Sequence, residues 1–159
     1  MTDPVLQPTD PAIMQLRAAN KAVVNTFFEM DVSTDLETRM SIFTDDIHIQ
    51  EMNTKECIPK WVSGINPVRN YYEKLNESWT EFSYNDHKVY QTEDPEILMA
   101  TAWSKGVLKN IYMITPHPYD NYNIFLFQVT DGRIRRIQHF CNPMKLQHAY
   151  WSIWLDAAH

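Results

Sequence analysis

The sequence predicts one α+β domain in which a curved sheet wraps a small-molecule pocket, and three observations carry that expectation. Up to Trp79, apolar residues recur mostly at the three- and four-residue spacing of buried helix faces. From Glu81 onward the pattern changes to strand alternation punctuated by turn residues. Aromatic residues make up 13% of the chain while Gly numbers only 3, so large rigid side chains must fill a core, line a cavity or cover an interface. The 159 residues suffice for one good core and are too few for two ordinary domains.

Residues 1–9 carry two prolines and little pattern, and read as a flexible arm ahead of a single domain spanning 10–159. Asp10-Pro11 supplies an N-cap and a proline at the first helical position. Ile13, Leu16, Asn20, Val23, Val24, Phe27 and Phe28 then give residues 11–30 one inner helical face. A second helix is expected to start at Thr34, capped in a box with Glu37, with Leu36, Met40 and Phe43 inside. Asp45-Asp46 reads as a turn before a strand over Ile47 to Met52, and residues 53–65 as irregular apart from a short strand at Lys60-Trp61-Val62.

Asn66-Pro67 repeats the cap-and-proline signal and opens a third helix, whose inner stripe is Val68, Tyr71, Tyr72, Leu75 and Trp79. Strands follow over Glu81 to Thr92, Ile97 to Leu108, Tyr119 to Thr130 and Ile134 to Cys141. They are separated by Asp94-Pro95, a loop at Thr115 to Pro118, and the tight Asp131-Gly132 turn. Pro143 stops the last strand, and Met144 to Leu155 is expected to form a final helix. Helices followed by consecutive antiparallel strands make an α+β domain, with helices covering one face and a conical cavity between.

Several function classes are disfavoured. A net charge of −6 does not suit a nucleic-acid surface, and the short basic cluster Arg133-Ile134-Arg135-Arg136 reads as a solvated strand face. The chain has no long apolar run of membrane-spanning length and begins without a signal-peptide pattern, so a cytoplasmic protein is expected. Cys57 and Cys141 lack zinc or redox spacing and are expected as free thiols, and no pair among the 6 histidines has ligand spacing, so no metal is expected. Three isolated glycines cannot build a dinucleotide loop, and no cofactor is expected.

Acid–base chemistry in an apolar cavity remains. Alternation on the last strand puts Ile137, His139 and Cys141 on one face, with His139 either a pocket acid–base group or a buried structural histidine. Tyr71 shares a helix face with Val68 and Leu75 and is the expected pocket phenol, with Trp79 farther along the stripe. His48 points away from Ile47 and Ile49, toward a surface or interface. Asp45, Asp46 and Glu51 read as turn or rim residues.

The segment Tyr119 to Phe127, then Asp131-Gly132-Arg133-Ile134, then Gln138-His139-Phe140-Cys141-Asn142-Pro143, resembles the C-terminal hairpin of the SnoaL-like superfamily. With Gly64 and Tyr90 to Pro95, the pattern is most similar to the phenazine-biosynthesis A/B proteins. That resemblance implies a cone-shaped α+β barrel, a homodimer, and acid–base isomerisation, cyclisation or condensation of a small aromatic or cyclic metabolite in secondary metabolism. It places Tyr119 at the cavity mouth. It also implies a glutamate at the position of His139 and a histidine at the position of Tyr71, so both implied catalytic positions differ here. A holding protein without chemistry, or an epoxide hydrolase or ketosteroid-isomerase-like enzyme, would fit the same fold. The last two rely on inward carboxylates, and no Asp sits on the inner face of the final strands. Phe140, Leu126 and Ile124 are expected on the outer face of the sheet.

Overall fold

A computed structural model describes residues 10–52, 61–109 and 117–145. The expected arm at 1–9, the segment 53–60 with Cys57, the Thr115-Pro116 part of the expected loop and the expected final helix beyond Lys145 lie outside these residues.

Three helices precede or interrupt one six-stranded sheet: α1 (Pro11–Glu29), α2 (Leu36–Ser41), β1 (Phe43–Glu51), β2 (Trp61–Ser63), α3 (Ile65–Ser78), β3 (Trp79–Gln91), β4 (Ile97–Leu108), β5 (His117–Thr130) and β6 (Arg133–Phe140). The α+β class is as the sequence predicts. The sheet, however, is mixed, in the order β2-β1-β6-β5-β4-β3, because β1 joins β6 in parallel. Consecutive antiparallel pairing is correct for β3 to β6, and β1 pairs antiparallel with β2 as well. The parallel seam is possible because β2, α3 and strands β3 to β5 lie between its two strands in the chain.

Asp10 caps α1 by accepting from Ala12 N, with Pro11 at the first helical position as expected. The buried face is Asn20, Val24, Phe27 and Phe28, whereas Leu16 is exposed. The first turns of α1 are tied down by polar contacts instead, with the Arg17 guanidinium donating to Thr92 O and Glu93 O at 2.6 Å each. Two predicted caps shift. Asp35, not Thr34, caps α2 by accepting from Glu37 N and Thr38 N, while Thr34 Oγ1 accepts from Asp31 N. Gly64 at φ +89 caps α3, so Asn66-Pro67 falls inside the first turn, where the N–H groups lack helical partners anyway. Trp79 leaves the helix and becomes the first residue of β3.

Asp45 and Asp46 lie within β1, not in a turn; the pairing register with β6 shifts beside them. They face solvent, where Asp46 accepts from Arg135 Nε at 3.0 Å and so engages the basic cluster on β6. The Asp131-Gly132 turn is the expected tight hairpin, both residues having positive φ. Register shifts in β3, with Asp86 at φ +52, and between β5 and β6 are the bulges that bend a sheet into a trough.

Two clusters fill the trough. The larger contains Phe27, Phe28, Phe43, Phe125 and Phe127, and includes Ile137. A smaller one at the open end comprises Trp79, Leu108 and Tyr119, with Leu75 and Phe82 packed on it. The opposite face of the sheet carries exposed Met99, Trp103, Tyr122 and Ile124, while Leu126 and Phe140 are half-buried.

Candidate active site

Between the two clusters lies a cavity enclosing about 740 Å³ of empty space, its solvent-facing mouth included. Met30, Leu75, Phe82 and Tyr84 supply much of its apolar wall, and Glu51, His139, Arg39 and Asn123 are among the polar side chains that line it.

Glu51 and His139 are register partners across the parallel β1–β6 seam, so backbone pairing alone brings them side by side. His139 Nδ1 lies 2.6 Å from Glu51 Oε2, with the side chains only 15% and 9% exposed. The imidazole stacks on Phe125, with ring centroids 4.5 Å apart and planes 5° apart, so it cannot swing freely. Its other nitrogen, Nε2, is 2.8 Å from Asn123 Oδ1. The orientation of that amide follows from its own partners, because Asn123 Nδ2 donates to Ala102 O, Ser104 Oγ and Asn121 O. The amide oxygen therefore faces His139, and Nε2 carries a proton that it donates. Nδ1 is left to share a proton with Glu51. The outer carboxylate oxygen, Oε1, accepts from the Tyr71 hydroxyl over a longer 3.4 Å.

The network continues behind the pair. Asn121 Nδ2 donates to Tyr119 Oη at 2.9 Å and to Asn142 O at 3.0 Å, and Asn142 N donates back to Asn121 Oδ1. Asn142 thus ties the end of β6 to the wall of the cavity.

Arg39 enters the cavity from α2. It is 5% exposed, its guanidinium donates to Asp31 O and lies 4.8 Å above the Tyr72 ring, and Nε has no acceptor. No ion pair among the described residues includes it. A buried cation without a carboxylate is costly unless something anionic completes it.

Burial pushes the Tyr72 and Tyr119 hydroxyls up to about 12 and the Cys141 thiol up to about 11. The carboxylate of Glu51 adds to the rise at Cys141. These groups hold their protons when folded and ionise more readily when unfolded, so they add stability that is lost as pH rises. Urea midpoints should be level at neutral pH and fall between about pH 9 and 12, the two phenols costing on the order of 2–3 kcal/mol each. A midpoint unchanged across that window would show them to be solvated.

Glu51, His139 and Cys141 place three donor atoms within 4.8 Å of one another, a set of the kind zinc accepts. A metal held there would displace the Cys141 proton and the proton shared by Glu51 and His139.

Of the residues picked from sequence, His139, Tyr71, Trp79, Tyr119 and Cys141 all line the cavity. Ile137 does not; one register step from His139 on the same face, it is sealed in the main core. Tyr72 lines the cavity beside Tyr71, their rings meeting edge to face at 5.3 Å, although adjacent helical positions point apart. His48 is half-buried, stacked on Trp61 away from the cavity. Glu51 is the main correction, being a buried cavity carboxylate and not a rim residue. Its position was readable, since Ile47, Ile49 and Glu51 share one face of β1. Asn121 and Asn123 were readable the same way, on the inward parity of Phe125 and Phe127. Arg39 gave no such signal.

The family model for phenazine biosynthesis protein A/B matches residues 5–154. The chain belongs to the phenazine biosynthesis A/B family. It is 27% identical over 133 residues to the phenazine biosynthesis protein PhzA2 of Pseudomonas aeruginosa, covering 83% of this chain and 80% of that one. Among solved structures, a phenazine biosynthesis-related protein of the same organism superposes with a TM-score of 0.78 at 20% identity, over 87% of this chain and 88% of the other. An NTF2-like protein from Burkholderia xenovorans gives 0.68 at 16% identity, over 83% and 95%. These likenesses establish the cone fold of the phenazine A/B family member described here. No helix among its described residues is long and apolar enough to cross a membrane.

Proposed function

We propose that this phenazine A/B family member is an acid–base enzyme of secondary metabolism, acting on a cyclic carboxylic acid by isomerisation, cyclisation or condensation. The observation that carries the proposal is the Glu51–His139 pair, 2.6 Å apart in an aromatic cavity that also holds a guanidinium in no ion pair among the described residues. Both nitrogens of His139 are engaged, so the proton-transferring atom is a Glu51 carboxylate oxygen, and His139 fixes and balances it. As base, Glu51 takes a proton from a carbon next to a carbonyl or imine, and the electron pair moves onto the oxygen or nitrogen. The same proton is then returned at that carbon or a conjugated one. As acid, the protonated carboxyl gives its proton to the departing hydroxyl of a carbinolamine, which leaves as water with formation of an iminium ion, and the N–H proton of that ion then returns to the carboxylate to leave the imine. In this reading Tyr71 turns its hydroxyl from Glu51 to donate to the substrate oxygen, and Arg39 seats the carboxylate.

The inward carboxylate of β1 removes the ground on which the sequence disfavoured ketosteroid-isomerase-like chemistry, which is proton transfer of this same kind. The test is solvent exchange. 3-Oxocyclohexanecarboxylate incubated with the protein in deuterium oxide should lose its protons beside the ketone, followed by proton NMR, faster than in buffer. Binding without faster exchange would instead establish a protein that only holds its ligand.

The proposal includes a homodimer formed through the outer sheet face, where Met99, Trp103, Tyr122 and Ile124 leave a contiguous apolar surface on β4 and β5. A monomeric mass by light scattering at micromolar concentration would contradict it.

A further inference from the structure

Acid–base chemistry at Glu51 leaves Cys141 unused, yet this thiol completes a set of three metal-ligating side chains. Glu51, His139 and Cys141 each offer one donor atom, and these atoms all lie within 4.8 Å of one another. Ligands around one tetrahedral zinc stand roughly 3.3–3.8 Å apart at the bond lengths that ion takes. The 2.6 Å contact between His139 Nδ1 and Glu51 Oε2 must open, and the widest gap close, each by about 1 Å.

The backbone already holds the set together. Glu51 and His139 are register partners across the β1–β6 seam, and Met52 N donates to His139 O at 2.8 Å just beyond them. Cys141 shares the inward face of His139, and the next residue, Asn142, exchanges hydrogen bonds in both directions with Asn121. Cys141 is buried, and the other two side chains are largely so. An outer layer orients the ligands, as it does in built metal sites. His139 Nε2 donates to Asn123 Oδ1, which leaves Nδ1 as the ligand atom, and the ring is held against Phe125. The second carboxylate oxygen of Glu51 accepts from Tyr71.

Charge balance favours a divalent ion. On binding, the Cys141 proton and the proton shared by Glu51 and His139 pass to water, and one dication takes their place. The net charge of the cluster is unchanged, so no uncompensated charge is left in the interior. A thiolate and an imidazole beside one carboxylate select ions of the zinc class over magnesium or calcium, which take oxygen ligands. Spacing along the chain could not announce this set, because its ligands come from two strands that meet only across the seam.

We propose that Glu51, His139 and Cys141 form a binding site for one divalent transition-metal ion of the zinc class, its fourth position open to water. Metal binding here is independent of whether Glu51 performs chemistry. The ion takes the carboxylate oxygen that proton transfer needs, so the loaded and the acid–base protein are alternative states.

Cobalt(II), whose absorption reports its ligands, tests the site. Chelator-treated protein at about pH 8 should bind one equivalent, with the visible bands of a four-coordinate ion and a near-ultraviolet thiolate-to-cobalt band. One equivalent of zinc should abolish both features, and magnesium neither. The chain has 2 cysteines, so their variants identify the thiolate. The thiolate band should survive Cys57→Ser and vanish in Cys141→Ser. Glu51→Gln should keep the band and weaken cobalt binding by about tenfold or more. No thiolate band in the intact protein, or a band that persists in Cys141→Ser, would overturn the site. Should Cys141→Ser not fold, Glu51→Gln decides alone, and an unchanged affinity there overturns the site as well.

Discussion

Glu51→Gln is expected to slow proton exchange on a cyclic oxo acid by about a hundred- to ten-thousandfold, the usual contribution of a positioned general acid or base. The amide keeps the shape of the carboxylate and can still hydrogen-bond His139 Nδ1, so stability should change by no more than about 1–2 kcal/mol. The informative comparison is His139→Asn, which keeps a polar group beside Glu51 but loses the ring stacked on Phe125. Because Asn123 already occupies the proton on Nε2, His139 should act through the carboxylate, and its replacement should cost less than replacement of Glu51. Removing His139 by Ala should likewise reduce turnover while leaving the fold within about 1–2 kcal/mol. Exchange rates measured on the variants at several pH values decide the matter. A larger loss at position 139 than at position 51 would return the proton-transfer role to the imidazole.

Arg39→Met should separate binding from stability. The guanidinium is buried with its Nε unpaired and without a carboxylate partner among the described residues, so an apolar chain of similar length should leave urea stability unchanged or raise it by about 1–4 kcal/mol. Affinity for cyclohexanecarboxylate should fall about tenfold or more, since a charge-assisted hydrogen bond is lost. Titration calorimetry and urea unfolding on one preparation read both effects. Unaltered affinity would show that Arg39 packs on Tyr72 without meeting a ligand.

The resemblance visible in the sequence implies a glutamate at position 139 and a histidine at position 71. This chain carries His139 and Tyr71 there, and Glu51 brings a carboxylate to the same cavity from the other side of the β1–β6 seam. Acid, imidazole and phenol are all present, on rearranged elements. The proposed chemistry therefore keeps the acid–base character that the resemblance implies, while the geometry of proton delivery differs.

Much of the fold was legible because it rests on local rules. The Asp10-Pro11 cap, the periodicity of Val24, Phe27 and Phe28, and the Asp131-Gly132 hairpin each depend on a few neighbouring residues. The caps of α2 and α3 were misplaced by one or two positions, because Asp35 and Gly64 compete with equally good signals next to them. The pairing of β1 with β6 was not legible: Glu51 and His139 are far apart in the chain, and nothing local in either strand names its partner. The site suffered for the same reason. Residues presented by one element, such as His139 and Tyr71, were found, while the partner that gives His139 its chemistry arrives through tertiary pairing. Arg39 sits on a helix of six residues, too short to show a periodic face.

The β1–β6 seam also bears on how the protein comes to be active. The β3–β6 meander is joined by connections between neighbours in sequence and can close early, whereas docking β1 must wait for a long loop to be drawn in. A chain that has formed its meander but not yet accepted β1 already has His139 stacked on Phe125 and held by Asn123. It has most of a cavity, and no carboxylate in it. Competence is thus tied to a late, non-local step, and the same seam, if it opens first under stress, silences the molecule while most of its sheet is still intact.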